Sequence, residues 1–342
     1  MICTPSDSGL KHWIKVPDSP LIHDLRFRHF LGESDYPHVV SVMEGTEEVD
    51  QREFRVSIED VKREIKHLEN CDPLRDMLVA EVDGNVIGFT RLWWNKDSNG
   101  VYLYNQFVDL LPKWRGKGIR NAMLKYNEQK LRESSQNHPA DACQFFQSTA
   151  ADSEKDWISV LTTEGYTVFR YGFHMKRPNL ENVPDYPLPE GIEVRPAKPE
   201  HYRAIITAWN EACKDMRGQI PISDEAAKGF QESPIFNPSL WQIAWHKNEV
   251  VGTVLNFIDD RENSEYNCKR GHVEAISVQR HWRGRGIAKA LIARSLNLLM
   301  DKGMNEAVLG VDAENPSGAL YLYKEMGFQI EKRVAFYRKP MN

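Results

Sequence analysis

Nothing in the sequence pairs its cysteines. The five of them (Cys3, Cys71, Cys143, Cys213 and Cys268) are odd in number, scattered and never in a CxxC spacing. That excludes a disulfide framework and a zinc site of the usual ligand spacing. No apolar run approaches the roughly 18–20 residues that span a bilayer. The opening stretch, MICTPSDSGLKHWIKVPDSP, lacks the charged and then apolar segments of a secretory signal. A basic excess is missing too: 44 Lys and Arg stand against 49 Asp and Glu, a net charge of −5. There is therefore no electrostatic footprint for bulk nucleic acid or an anionic membrane. The expectation is a cytoplasmic protein that binds no nucleic acid, no membrane and no metal. Its 342 residues make about two domains of ~150 residues, each able to bury a core unaided.

What is present is a long repeat. LLPKWRGKGIRNAML (110–124) returns as VQRHWRGRGIAKALI (278–292), 168 positions later. MLVAEVDGNVIGFTRL (77–92) matches WQIAWHKNEVVGTVLN (241–256) as strand, polar turn and strand, and each half closes on Gly-aromatic, Gly165-Tyr166 and Gly327-Phe328. The period is far too long for a solenoid, so the chain holds two copies of one domain. Residues 177–190 carry four prolines and read as an extended linker. The boundaries are an extension over 1–24, a first copy over 25–176, the linker, and a second copy over 191–342. Strands and helices alternate in each copy, which predicts an α/β fold on a mixed α+β sheet.

In the second copy HVEAISVQ (272–279) reads as a strand, with His272, Glu274, Ile276 and Val278 on one face. A helix opens near Gly286. Between them Arg283-Gly284-Arg285-Gly286-Ile287-Ala288 suits a phosphate. Glycines let backbone N–H groups come close, the helix start leaves donors unpaired, and both arginines add charge. The spacing is neither GxxxxGK[ST] nor GxGxxG, because position 289 is Lys.

That loop after a strand resembles the acyl-CoA pyrophosphate loop of the GNAT family of N-acetyltransferases. The likeness continues through Gly310-Val311-Asp312-Ala313-Glu314-Asn315-Pro316 and Ala319-Leu320-Tyr321-Leu322-Tyr323-Lys324-Glu325-Met326-Gly327-Phe328. Two joined copies are most similar to the tandem members, the layout of mycothiol synthase; the layout carries over, not that substrate. The resemblance implies acetyl-CoA as co-substrate and direct attack by a primary amine of a small molecule. It implies that Ile276, Ser277, Val278, Arg283, Gly284, Arg285, Gly286, Ile287, Ala288 and Asn315 hold the acetyl-CoA. Tyr323 matches the residue that protonates the thiolate; packing is its other reading. Glu274 reads either as a general base or as a solvated carboxylate paired with Arg270 or Lys269. His272 reads as an exposed strand end. Trp209, Trp241 and Trp245 line an acceptor pocket or pack the core. In the first copy Arg120 replaces Ala288, Gln106 replaces Glu274, Ser153 replaces Asn315 and Leu161 replaces Tyr323. Catalysis is therefore expected in the second copy, with the first shaping the acceptor cleft. A CoA-binding sensor or scaffold without turnover, and a transferase for longer acyl chains, are the other readings. Net acidity points weakly to a cationic acceptor such as a polyamine, an aminoglycoside or an amino-acid derivative, and the chain is expected to be a monomer or homodimer.

Overall fold

The computed structural model describes residues 12–52, 56–315 and 317–341; the first eleven residues of the extension and Pro316 lie outside it. The first copy supplies β1 (Trp13–Ile14), β2 (Arg26–His29), β3 (Met77–Val82), β4 (Asn85–Lys96), β5 (Tyr102–Leu110), β6 (Gln144–Ala151) and β7 (Thr167–Arg177). The second supplies β8 (Ile192–Arg195), β9 (Gln242–His246), β10 (Glu249–Phe257), β11 (Arg270–Val278), β12 (Glu306–Asp312) and β13 (Gln329–Pro340). Helices α1 (Tyr36–Asp50), α2 (Ile58–Lys66), α3 (Pro73–Asp76), α4 (Ile119–Ser135) and α5 (Lys155–Thr163) belong to the first copy. The second copy supplies α6 (Tyr202–Cys213), α7 (Asp224–Gln231), α8 (Asp260–Glu265), α9 (Ile287–Asp301) and α10 (Ala319–Glu325).

Local chemistry sets the element ends. Asp83 and Gly84 between β3 and β4 both have positive φ (50° and 76°), as a two-residue hairpin turn of matching twist requires. Ser57 caps α2 reciprocally with Asp60. Gly118 and Gly286, both left-handed, open α4 and α9. At about 100° per residue Ile287, Leu291, Ile292, Ser295 and Leu299 share one side of α9, and all are buried. Ala288 and Leu298, at the margins of that side, are only half-buried. Each copy has one core under its long helix, α4 or α9, and a second on the opposite sheet face.

The sheet is mixed, as expected for an α/β chain, and continuous through both copies in the order β1-β2-β3-β4-β5-β6-β13-β7-β12-β11-β10-β9-β8. The last strands have changed places. β7 of the first copy pairs with β12 of the second, β13 of the second pairs with β6 of the first, and β7 and β13 pair with each other. The copies are successive in sequence and interleaved in space. The proline-rich segment 177–190 is extended but packed: Leu180 is buried, and Val183, Tyr186 and Leu188 lie on the second core. Cutting the chain after residue 177 should therefore leave residues 178–342 with β12 as an open edge and β13 without partners. Expressed alone, that half should aggregate or self-associate in sedimentation, and co-expression with residues 1–177 should restore a soluble complex.

Candidate active site

The second copy opens where two parallel strands part. β11 and β12 pair only over Arg270–His272 against Glu306–Val308. Beyond that, the backbone of β11 has no strand partner on that side among the described residues. On its other side β11 pairs with β10, but the register slips by one between Thr253↔Ser277 and Leu255↔Glu274. The extra residue is Ala275, held at φ 47°, a left-handed conformation that a side chain adopts at a cost. This bulge breaks the strand alternation. Ile276 and Val278 join Val273 on the face under α9, whereas Glu274 and Ser277 stand opposite Leu255 and Thr253 on the other face. Strict alternation put Glu274, Ile276 and Val278 together, and the bulge corrects that.

The chain then turns through the glycine loop. Gly284 and Gly286 have φ of 73° and 84°, and a Cβ at either would meet nothing within 4 Å. That open space beside the uncapped start of α9 is a backbone cradle for an anion. A cavity of about 430 Å³ runs from it between the parted strands. Ile276, Ser277, Val278, Arg283, Gly284, Gly286, Ile287, Ala288, Asn315 and Tyr323 all line it. Arg285 does not: its guanidinium donates to the His281 carbonyl at 3.2 Å and stacks over Trp282. Arg283 faces the cavity but holds the loop together, donating to the carbonyls of Val278 and Ala212 and to Asp215 at 2.8 Å. Asn315 turns its Oδ1 inward to accept from Ser317 ahead of α10. Lys289, Asp215 and Cys213 also line the cavity and were not singled out from the sequence. Asp215 and Cys213 come from the end of α6, some seventy residues upstream, and no local pattern marks them.

Tyr323 is 5% exposed. Burial, and then the charges of Glu274 and Cys213, push its phenol well above the ordinary value, so it stays protonated. Its hydroxyl has no hydrogen-bond partner among the described residues, leaving the proton available. Glu274 lines a second cavity, of about 800 Å³, walled by both copies. Burial pushes its carboxyl up to about 7, against the opposing pull of His272 and of a Gly310 N–H that donates to it where β12 has left β11. It pairs with neither Arg270 nor Lys269 among the described residues: Arg270 is taken by Glu262 and Glu306. His272 is half-buried and also bonds Glu262. Trp241 and Trp245 are core residues, and Trp209 lines neither cavity.

The first copy keeps the frame and fills the space. β5 and β6 part beyond Asn105↔Gln147, and Arg115 binds Asp50 at 2.6 Å as Arg283 binds Asp215. The β4–β5 register, however, is unbroken, so there is no bulge. Arg120, in the position of Ala288, is buried beside Trp157, which counted back from the closing glycine occupies the position of Ala319. Asp156 pairs with the arginine at 2.9 Å. Two cavity-lining alanines are thus replaced by a stacked Arg–Trp pair. Gln106 donates to Tyr166, and Leu161 is fully buried. The extension closes the loop from outside: Val16 joins the core, and Pro20 lies 3.9 Å from where a Cβ on Gly118 would be.

The chain matches the acetyltransferase (GNAT) family twice, over residues 43–146 and 205–328. It belongs to that family. It is an acetyl-CoA-dependent N-acetyltransferase built from two GNAT domains. It is similar to an N-alpha-acetyltransferase MAK3 of Arabidopsis thaliana, 35% identical over 100 residues, which is 29% of this chain and half of that protein. A mycothiol acetyltransferase of Streptomyces griseus is 25% identical over 94% of this chain and 98% of its own. The crystal structure of a GCN5-related N-acetyltransferase from Sphaerobacter thermophilus superposes with a TM-score of 0.72 at 25% identity, covering 96% of this chain and 98% of that one. No helix among the described residues is long and apolar enough to cross a membrane.

Proposed function

We propose that the C-terminal domain transfers the acetyl group of acetyl-CoA to a primary amine of a small molecule, and that the N-terminal domain serves as one wall of the acceptor cavity. The observation that carries this reading is the placing of Glu274 and Tyr323. One lines the acceptor cavity and the other lines the cavity of the glycine loop, near enough for the charge of Glu274 to act on the phenol.

The reaction follows from those environments. A small-molecule amine arrives as an ammonium ion and must lose a proton before it can attack. A carboxyl pushed up to about 7 is a base matched to neutral pH. The amine nitrogen then bonds to the thioester carbonyl carbon, and the oxyanion accepts from the N–H groups of β11 that the departure of β12 leaves unpaired. As the tetrahedral species collapses, the nitrogen gives up its second proton to solvent, the C–S bond breaks and the sulfur takes the proton of Tyr323. The products are the amide and CoA, and Tyr323 recovers its proton from solvent or from Glu274. The backbone over Gly284 and Gly286 and the first turn of α9 fit the pyrophosphate, while Arg283 fixes the loop that presents them.

Acetyl-CoA-dependent release of CoA across a panel of amines, with the mass of the product, tests the reading. Tyr323→Phe keeps the ring and removes the donor. Acetyl-CoA affinity should stay near the wild-type value while kcat falls about 10- to 1,000-fold, the range of a single acid–base group. An unchanged kcat with chemistry rate-limiting would assign the proton to another group.

A further inference from the structure

The acceptor cavity allows a narrower statement, which rests on the acetyl transfer proposed above. Among the described residues its wall carries seven carboxylates, Asp50, Glu64, Asp109, Glu154, Glu262, Glu274 and Glu331. Five of them are already held in ion pairs, by four arginines. Arg115 holds Asp50 at 2.6 Å, Arg91 holds Glu64 at 2.6 Å, Arg52 holds Asp109 and Glu154 at 2.8 and 2.9 Å, and Arg270 holds Glu262 at 3.0 Å. Glu331 is exposed at the rim. Among the described residues that leaves Glu274 as the one inward carboxylate without a cationic side chain in an ion pair. The wall's cations are engaged as well: Arg52, Arg91 and Arg270 in those pairs, and Lys332 on the Gln51 carbonyl at 2.8 Å. Inside the rim where Glu331 stands, a second ammonium on the acceptor would have to compete with an arginine for its carboxylate, and a carboxylate on the acceptor would have to do the converse.

Between these ion pairs the N-terminal domain also gives the cavity an apolar stretch of wall. Phe107 on β5 is half-buried and sits edge-on to Phe89, with ring centroids 5.6 Å apart, and to Trp93 at 6.2 Å. Met43 of α1 and Ile65 of α2 continue the surface, both half-buried against the same core. A site with one cation-recognising point and an aromatic–aliphatic wall binds by apolar contact and orients by one charge.

We propose that the acceptor is a monocationic primary amine with an apolar body, aryl or branched alkyl, and that Phe107 is the residue that selects it. This differs from the polyamine, aminoglycoside or amino-acid derivative suggested by net charge: the inner carboxylates other than Glu274 are each held by an arginine, so the chain total says little about the ligand.

The test is a matched panel with the full chain and acetyl-CoA: phenethylamine and isoamylamine as apolar monoamines, putrescine and spermidine as polycations, and phenylalanine as the same aryl body with a carboxylate added. The expected order puts phenethylamine at least about 10-fold above putrescine, spermidine and phenylalanine in kcat/KM. Phe107→Ala should raise the phenethylamine KM about 10-fold or more, with kcat and the acetyl-CoA KM near wild type, as loss of ground-state binding requires. Phe107→Leu keeps an apolar wall and guards against a folding defect in the alanine variant; it should lose the preference for aryl over branched alkyl while turning over both. Preference for the polyamines or for phenylalanine, or a phenethylamine KM indifferent to both substitutions, overturns the selectivity and leaves amine acetylation standing. No turnover of any amine by a chain that still binds acetyl-CoA overturns amine acetylation and the selectivity with it.

Discussion

Glu274→Gln should give a more stable and nearly inactive enzyme. Gln keeps the shape but cannot take a proton, so kcat/KM is expected to fall about 100- to 10,000-fold, the contribution of a placed general base. The pH profile carries the more specific signature. With its carboxyl pushed up to about 7, the wild type should gain activity as pH rises through that value, because only the ionised form accepts the proton. In the variant that limb should vanish, leaving only the rise from ionisation of the free amine. Stability should move the other way. In the folded chain Glu274 keeps its proton to higher pH than an ordinary glutamate near 4.3, so folding is favoured most below that value. That contribution is lost as pH climbs through the folded value. Removing a half-buried charge that has no cationic partner among the described residues should therefore raise stability at pH 8 by on the order of 1–3 kcal/mol, with the gain fading toward pH 4. Thermal melts of both proteins at pH 5 and 8 read the sign directly. A variant with the wild-type limb near 7 would leave Glu274 without the role of base.

The parts of this site legible in the sequence are those that sit on one short stretch of chain. Arg283 to Ala288 is a strand–turn–helix junction, and its chemistry follows from glycine, helix start and charge without knowledge of the rest. Asn315 and Tyr323 were placed by the resemblance to the GNAT family, on the stretch that closes at Gly327. The duplication added a control, since Arg120, Gln106 and Leu161 mark the first copy as altered. What could not be read depends on residues far apart or on a single inserted residue. Nothing in HVEAISV announces the bulge, because Ala275 adopts a conformation in which glycine would have been the signal. One residue out of register moves Glu274 to the opposite face from Ile276, and with it the whole division between the two cavities. Trp157 reads as an ordinary helix apolar residue until its spacing from Gly165 sets it against Ala319. The exchange of β7 and β13 is a choice between two equally good antiparallel partners, which no local preference decides. The acceptor cavity is made of side chains from both domains, so its ion pairs exist only in the folded chain.

The duplication also supplies an internal control for the cofactor loop. Gly286 and Gly118 open equivalent helices at φ of 84° and 83°, so a valine at either pays the same backbone strain, about 1–2 kcal/mol. Both variants should lose a similar few degrees in Tm. Their functional effects should differ sharply. At Gly286 the new side chain enters space that is otherwise open, between an incoming pyrophosphate and the N–H groups of residues 286–288. A hydrogen bond to a charged group contributes about 1.5–3 kcal/mol, so losing two of them raises the KM for acetyl-CoA at least about 100-fold. At Gly118 a Cβ would meet Pro20 in ordinary contact at 3.9 Å, and nearby the stacked Arg120 and Trp157 fill the place an acyl chain would need. Gly118→Val should leave kcat and KM near wild type. Calorimetric titration with acetyl-CoA should give about one site per chain for the wild type and Gly118→Val, and no measurable binding for Gly286→Val at the same concentrations. Because the strain is matched, a difference between the variants reports ligand contact rather than folding. Equal losses of affinity, or a stoichiometry of two that falls to one on altering Gly118, would mean that the N-terminal domain also holds acetyl-CoA.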